Sequence, residues 1–113
     1  MRIAPLAAAL VLLAGAAAAQ TKDDPAKGKA LFMADGCFEC HGQVGQGGRL
    51  TGPRLARTQL PLDAFAQQLR QPSNEMPPYE PGVLSNQDAA DIYAFLQSLP
   101  PPKSAKDIPL LNQ

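Results

Sequence analysis

Cys37-Phe38-Glu39-Cys40-His41 holds both cysteines and the one histidine of a chain of 113 residues. At spacing i, i+3 in a helical turn the two sulfurs project to the same side. The imidazole, next in line, swings beneath whatever the sulfurs hold. A C-x-x-C-H run is the pattern of c-type haem attachment. Cys37 and Cys40 would form thioether bonds to two vinyl groups on one porphyrin edge, and His41 would take one axial position of the iron, leaving the second axial ligand, hydrogen bonding and burial as the protein's remaining levers.

Three other chemistries use the same residue types. A thioredoxin-like redox pair is also C-x-x-C, but it belongs to a strand-to-helix turn, and no strand pattern precedes Cys37. A structural zinc site takes four ligands, one more than two cysteines and a histidine supply. A disulfide between Cys37 and Cys40 would close a very small loop and add little stability. Covalent haem is the reading that uses all three side chains.

Outward toward the N-terminus, residues 1–19 read as a secretory signal peptide: Arg2 is a short positive region, Leu6 to Leu13 an apolar one, and Ala17-Ala18-Ala19 a small-residue cleavage site before Gln20. The apolar run is too short and too rich in alanine for a membrane span, so no span is expected after cleavage. No cysteine precedes Cys37, which excludes a lipidated N-terminal cysteine. Residues 20–113 then form one domain, exported to the periplasm. Loss of Arg2 leaves nine basic against ten acidic residues, a balance that implies neither a nucleic acid nor an anionic membrane as partner.

Alanine and leucine are common in this domain, valine, isoleucine and threonine are sparse, and no segment alternates with period two, which together favour helices. Asp23 or Asp24 followed by Pro25 opens a first helix that runs to Asp35, with Gly36 as its stop. Gly28 within it weakens the helix and suggests a close crossing by another. Met33, on the same helix, reads as core filling. From Gly42 to Pro53 the chain is glycine-rich, suited to backbone with φ > 0 wrapped around a bulky group; with no preceding strand it is not a nucleotide loop. A second helix is expected over Pro61 to Arg70, ended by Pro72.

Residues 71–82 carry prolines at 72, 77, 78 and 81, which forbid a helix and stiffen an extended loop. Met76 sits in that loop, 35 residues beyond His41, far enough to return over the other face of a porphyrin, where a soft thioether suits iron and raises its potential. The last helix has the clearest signals: Ser85-Asn86-Gln87-Asp88 reads as a capping box, Ala89, Ile92, Tyr93, Leu96 and Leu99 form a stripe with Phe95 beside it, and Pro100-Pro101-Pro102 ends it. The tail, 100–113, is expected to be extended.

In this order, Cys37-x-x-Cys40-His41, Gly52-Pro53-Arg54-Leu55, Met76-Pro77 and Asp91-Ile92-Tyr93-Ala94-Phe95-Leu96 resemble the small bacterial class I cytochromes c, over most of the span from Pro25 to Leu99. The resemblance implies an all-α, class I cytochrome c-like fold, three to four helices wrapped around one covalently attached haem c. It implies that the first and last helices cross through Gly28, Phe32 and Phe95. It also implies that the Pro53 carbonyl accepts a hydrogen bond from His41, orienting the ligand and raising its basicity, and that Leu55 packs on the haem edge. The span between His41 and Met76 is short for mitochondrial-type members.

With His41 and Met76 filling both axial sites there is no open position for a substrate. The expected function is therefore a periplasmic one-electron carrier, not an enzyme: a free shuttle, or the cytochrome subunit of a periplasmic dehydrogenase, monomeric or a small subunit of a complex. Its partners would be redox proteins, a periplasmic dehydrogenase or a terminal oxidase or reductase, met through a small interface. Arg49, Arg54 and Arg57, with no acidic residue between His41 and Leu62, would offer a positive docking rim. The rivals are a haem enzyme or sensor with an open sixth site, and a C-x-x-C thiol-disulfide oxidoreductase. A single histidine committed to iron leaves none for a nucleophilic triad.

Overall fold

A computed structural model describes residues 22–112; the expected signal peptide, 1–19, lies outside the described residues. Four α-helices follow one another: α1 (Pro25–Ala34), α2 (Cys37–His41), α3 (Leu62–Arg70) and α4 (Asn86–Ser98). Among the described residues there is no strand, only an isolated antiparallel bridge between Gly48 and Gly52.

The helix ends follow the residues that flank them. Asp24 caps α1, its carboxylate accepting from the amides of Ala26 and Lys27 at 2.9 and 3.2 Å, and Pro25 occupies the first turn, where no amide is required. Ser85 and Asp88 close a reciprocal capping box on α4. Gly36 (φ +75°) turns the chain from α1 into α2 in a conformation that costs a glycine nothing.

Packing is centred on α1 against α4. At their crossing a Cβ on Gly28 would fall 1.9 Å from the Asp91 carbonyl oxygen, so only glycine admits the approach. Phe32 and Phe95 meet beside it with ring centroids 5.6 Å apart and planes at 59°, a tilted geometry aromatic pairs favour. The crossing implied for Gly28, Phe32 and Phe95 is thus present. One core cluster gathers Phe32, Phe65, Leu69, Leu84, Ala89, Ile92, Phe95 and Leu96; Met33 packs against its edge as expected.

Asp91 is the buried polar residue of this crossing, 2 % exposed. Its carboxylate accepts from the Asp24 amide and from Gln87 Nε2, both at 2.9 Å, and pairs with Lys27 Nζ at 2.9 Å. Lys27 also reaches Asp88 at 2.6 Å. Burial would push the Asp91 carboxyl up, but these three donors outweigh it and hold the group below the usual carboxylate range.

The loop from residue 42 to 61 lies against α4: the Arg57 amide donates to the Leu96 carbonyl at 2.9 Å, Gln97 Nε2 to Thr58 at 2.8 Å and the Tyr93 hydroxyl to Leu60 at 2.8 Å. The tail departs from the extended course expected of it. Two short 3-10 turns, Ala105–Asp107 and Pro109–Leu111, follow the prolines. The Asn112 side-chain amide stabilises them by donating to the carbonyls of Ala105, Lys106 and Ile108.

Candidate haem-binding site

The site is built on α2, one short helical turn held at both ends by glycine. Cys37 is half-buried and Cys40 exposed, with no disulfide between them. Burial pushes the Cys37 thiol up, against the opposing effect of the Tyr79 hydroxyl. A redox-active cysteine needs the reverse, a lowered pKa that populates the thiolate.

His41 is 8 % exposed, and its Nδ1 lies 2.8 Å from the Pro53 carbonyl oxygen. With that acceptor facing it, Nδ1 carries the proton, and Nε2 keeps its lone pair for a metal. The loop that delivers Pro53 is moulded onto α2. Thr51 Oγ1 donates to the Cys40 carbonyl at 2.8 Å, and the Gly47 amide donates to the His41 carbonyl at 2.8 Å. A Cβ on Gly52 would stand 3.0 Å from the Cys40 oxygen and from His41 Nδ1 and Cε1. Of the glycines expected to adopt φ > 0, Gly42, Gly45 and Gly47 do so. Gly48 and Gly52 instead form the bridge that closes the loop over Cys40.

Cys37, Phe38, Leu55, Met76 and Tyr79 all pack, half-buried, against the core cluster. Cys37, Cys40, His41 and Pro53 are therefore joined in one continuous arrangement, while Leu55 and Met76 share with Cys37 the core cluster against which they pack. Met76 lies in the α3–α4 loop, outside any helix.

The fit to a porphyrin rests on the donor set and on the glycine that clears the imidazole. Two sulfurs share one turn, an imidazole beside them has one nitrogen committed to a carbonyl, and Gly52 leaves the ring room in that orientation. Compared with family models, residues 23–96 match "Cytochrome C oxidase, cbb3-type, subunit III". The chain belongs to this family of c-type cytochromes. Comparisons with curated proteins and with solved structures return no match. This small c-type cytochrome has the all-α cytochrome c fold, and its cofactor is a covalently bound haem c, with which the Cys37/Cys40 pair of the C-x-x-C-H run agrees. It is a haem electron-transfer protein.

The contacts that Thr51, Gly52 and Tyr79 make in the cytochrome's site were not read from the sequence. Thr51 and Gly52 touch α2 only because the loop doubles back. Tyr79 has its hydroxyl 2.8 Å from the Asp35 carbonyl; an aromatic hydroxyl flanked by prolines was the available cue. Burial raises the Tyr79 hydroxyl above its ordinary value, so it keeps its proton and donates.

Proposed function

We propose that the protein is a periplasmic one-electron carrier with His41 and Met76 as axial ligands to the haem iron, acting as a free shuttle or as the cytochrome subunit of a larger redox complex. Bound haem supplies a reversible ferric/ferrous couple. The chain's part is to hold the ligands still, so that little reorganises when an electron arrives. The observation that carries this reading is the bond between His41 Nδ1 and the Pro53 carbonyl, 2.8 Å long on a ring almost wholly shielded from water. Such a fixed, electron-rich imidazole serves as a permanent ligand and not as a proton-transfer group. Met76 is the second ligand by its chemistry and its place: a half-buried thioether, outside any helix, packed on the same cluster as Cys37 and Leu55.

The family takes its name from an oxidase subunit, which supports a membrane oxidase or a dehydrogenase as the redox partner. Among the described residues no helix is long and apolar enough to cross a membrane. Arg49, Arg54 and Arg57 are exposed, and Arg57 is partly occupied by the Leu99 carbonyl at 3.3 Å; together they give the docking face a positive rim. Export is supported by the N-terminal pattern of residues 1–19.

Replacing Met76 by alanine tests the ligand set. The ferric holoprotein should lose its weak red-edge sulfur-to-iron absorption, turn high-spin and show a lower reduction potential, because a neutral soft ligand is gone. An unchanged spectrum would reject Met76. A wild-type protein that is already high-spin and binds carbon monoxide at once would favour the open-site enzyme or sensor.

A further inference from the structure

We propose that Tyr79 is a positioning residue, a latch that holds the Met76 loop shut over the haem site. The proposal rests on Met76 being the second axial ligand. Tyr79 follows Met76 by three residues, and the two between are Pro77 and Pro78, whose rings fix φ and leave few torsions to absorb a displacement. Whatever fixes Tyr79 therefore fixes Met76.

Every polar atom of Tyr79 is used, and its partners lie on separate parts of the fold. Its amide donates to the Leu69 carbonyl at 2.8 Å, one of the carbonyls that the end of α3 leaves without a helical donor. Its carbonyl accepts from Arg70 Nη1 at 2.8 Å, and the same guanidinium extends Nη2 to Asn86 Oδ1 at 2.9 Å, at the first residue of α4. Its hydroxyl donates to the Asp35 carbonyl at 2.8 Å, in the turn between α1 and the cysteine-bearing α2. One residue thus ties the methionine loop to α3, to α4 and to the haem-attachment turn. The hydroxyl bond spans 44 positions in sequence and joins the methionine loop directly to the haem-attachment turn.

Exogenous imidazole reports the latch, since it can bind ferric iron only when the Met76 thioether has let go. Its apparent affinity is the intrinsic affinity scaled by the fraction of molecules with the loop open. Tyr79→Phe keeps the ring and deletes the hydroxyl; a lost neutral hydrogen bond should enlarge the open fraction, and with it the imidazole affinity, by about 3–10-fold. The red-edge sulfur absorption without imidazole should persist. Arg70→Met, which frees the Tyr79 carbonyl, should act in the same direction. Tyr93→Phe is the control: it deletes a hydroxyl bond of equal length, to Leu60, away from the methionine loop, and should leave the affinity within twofold of wild type.

Wild-type affinity in both Tyr79→Phe and Arg70→Met overturns the latch, as does an equal rise in Tyr93→Phe, which would mark general loosening. Absence of the sulfur absorption from the wild-type protein is a separate outcome: it removes Met76 as ligand, and the latch with it.

Discussion

At the scale of the residue, His41 shows how a single backbone carbonyl sets the behaviour of a ligand. The Pro53 oxygen at 2.8 Å fixes the ring's protonation and plane, and Gly52 makes room for that plane, its missing Cβ lying 3.0 Å from two ring atoms. Gly52→Ala should therefore push the imidazole off its acceptor without detaching it. A less basic ligand stabilises ferric iron less, so the reduction potential should rise, by about 20–60 mV if most of one hydrogen bond is lost. Spectroelectrochemical titration of the holoprotein measures this, and an unmoved potential would show that the ring tolerates the methyl group. The His41–Pro53 pairing was legible from Gly52-Pro53-x-Leu55 by family likeness. The contacts of Thr51 and Gly52 with α2 were not, because they depend on the path of a glycine-rich loop whose torsions composition leaves free.

At the scale of the element, the α1–α4 crossing divides into parts that sequence carries and parts that only packing makes. The capping residues Asp24, Ser85 and Asp88 and the oddly placed Gly28 announce themselves, since each breaks or completes a local rule. The burial of Asp91 does not: it is tolerable only once Asp24, Gln87 and Lys27 converge on the carboxylate. This ionic clasp gives the crossing a pH window. Hydrogen bonds from Lys27 and then Ser85 pull Asp88 down from 3.8 to about 2, and Asp91 is lowered too. A depressed carboxyl adds stability above its unfolded pKa and loses it as pH falls through the folded value, so the clasp should fail between about pH 4 and pH 2. Lys27 is raised by its bonds to Asp88 and Asp91, so its share persists below its unfolded pKa and is lost only in strong alkali. Asp35 opposes this trend: burial, then the Asp88 charge, raises its carboxyl, and acid relieves it. Asp88→Asn should cost about 1 kcal/mol at pH 7, the size of a weakened cap, and the difference from wild type should shrink as pH is lowered toward 2. Urea unfolding of the two holoproteins at several pH values checks both the size and the slope.

At the scale of the whole molecule, the eight-residue core cluster is small, and a chain of this length buries a smaller share of its surface than larger domains do. Around that cluster Cys37, Phe38, Leu55, Met76 and Tyr79 remain half-buried, apolar surface that a bound haem would cover. The helical class and the order of elements followed from composition and from one five-residue run. The turns of the tail did not, because Asn112 reaches back to carbonyls four to seven positions away with no pattern to mark it. Covalent attachment makes the cofactor part of the core, since a porphyrin tied by two thioethers cannot leave when the loops breathe. The double variant Cys37→Ala/Cys40→Ala, produced beside a working haem-attachment system, should therefore lack bound haem and lose more than half of the helical circular dichroism of the wild type, with α3 the first to go because it contacts α4 far less than α1 does. A colourless variant with wild-type ellipticity and a cooperative thermal transition would show that the polypeptide core suffices alone.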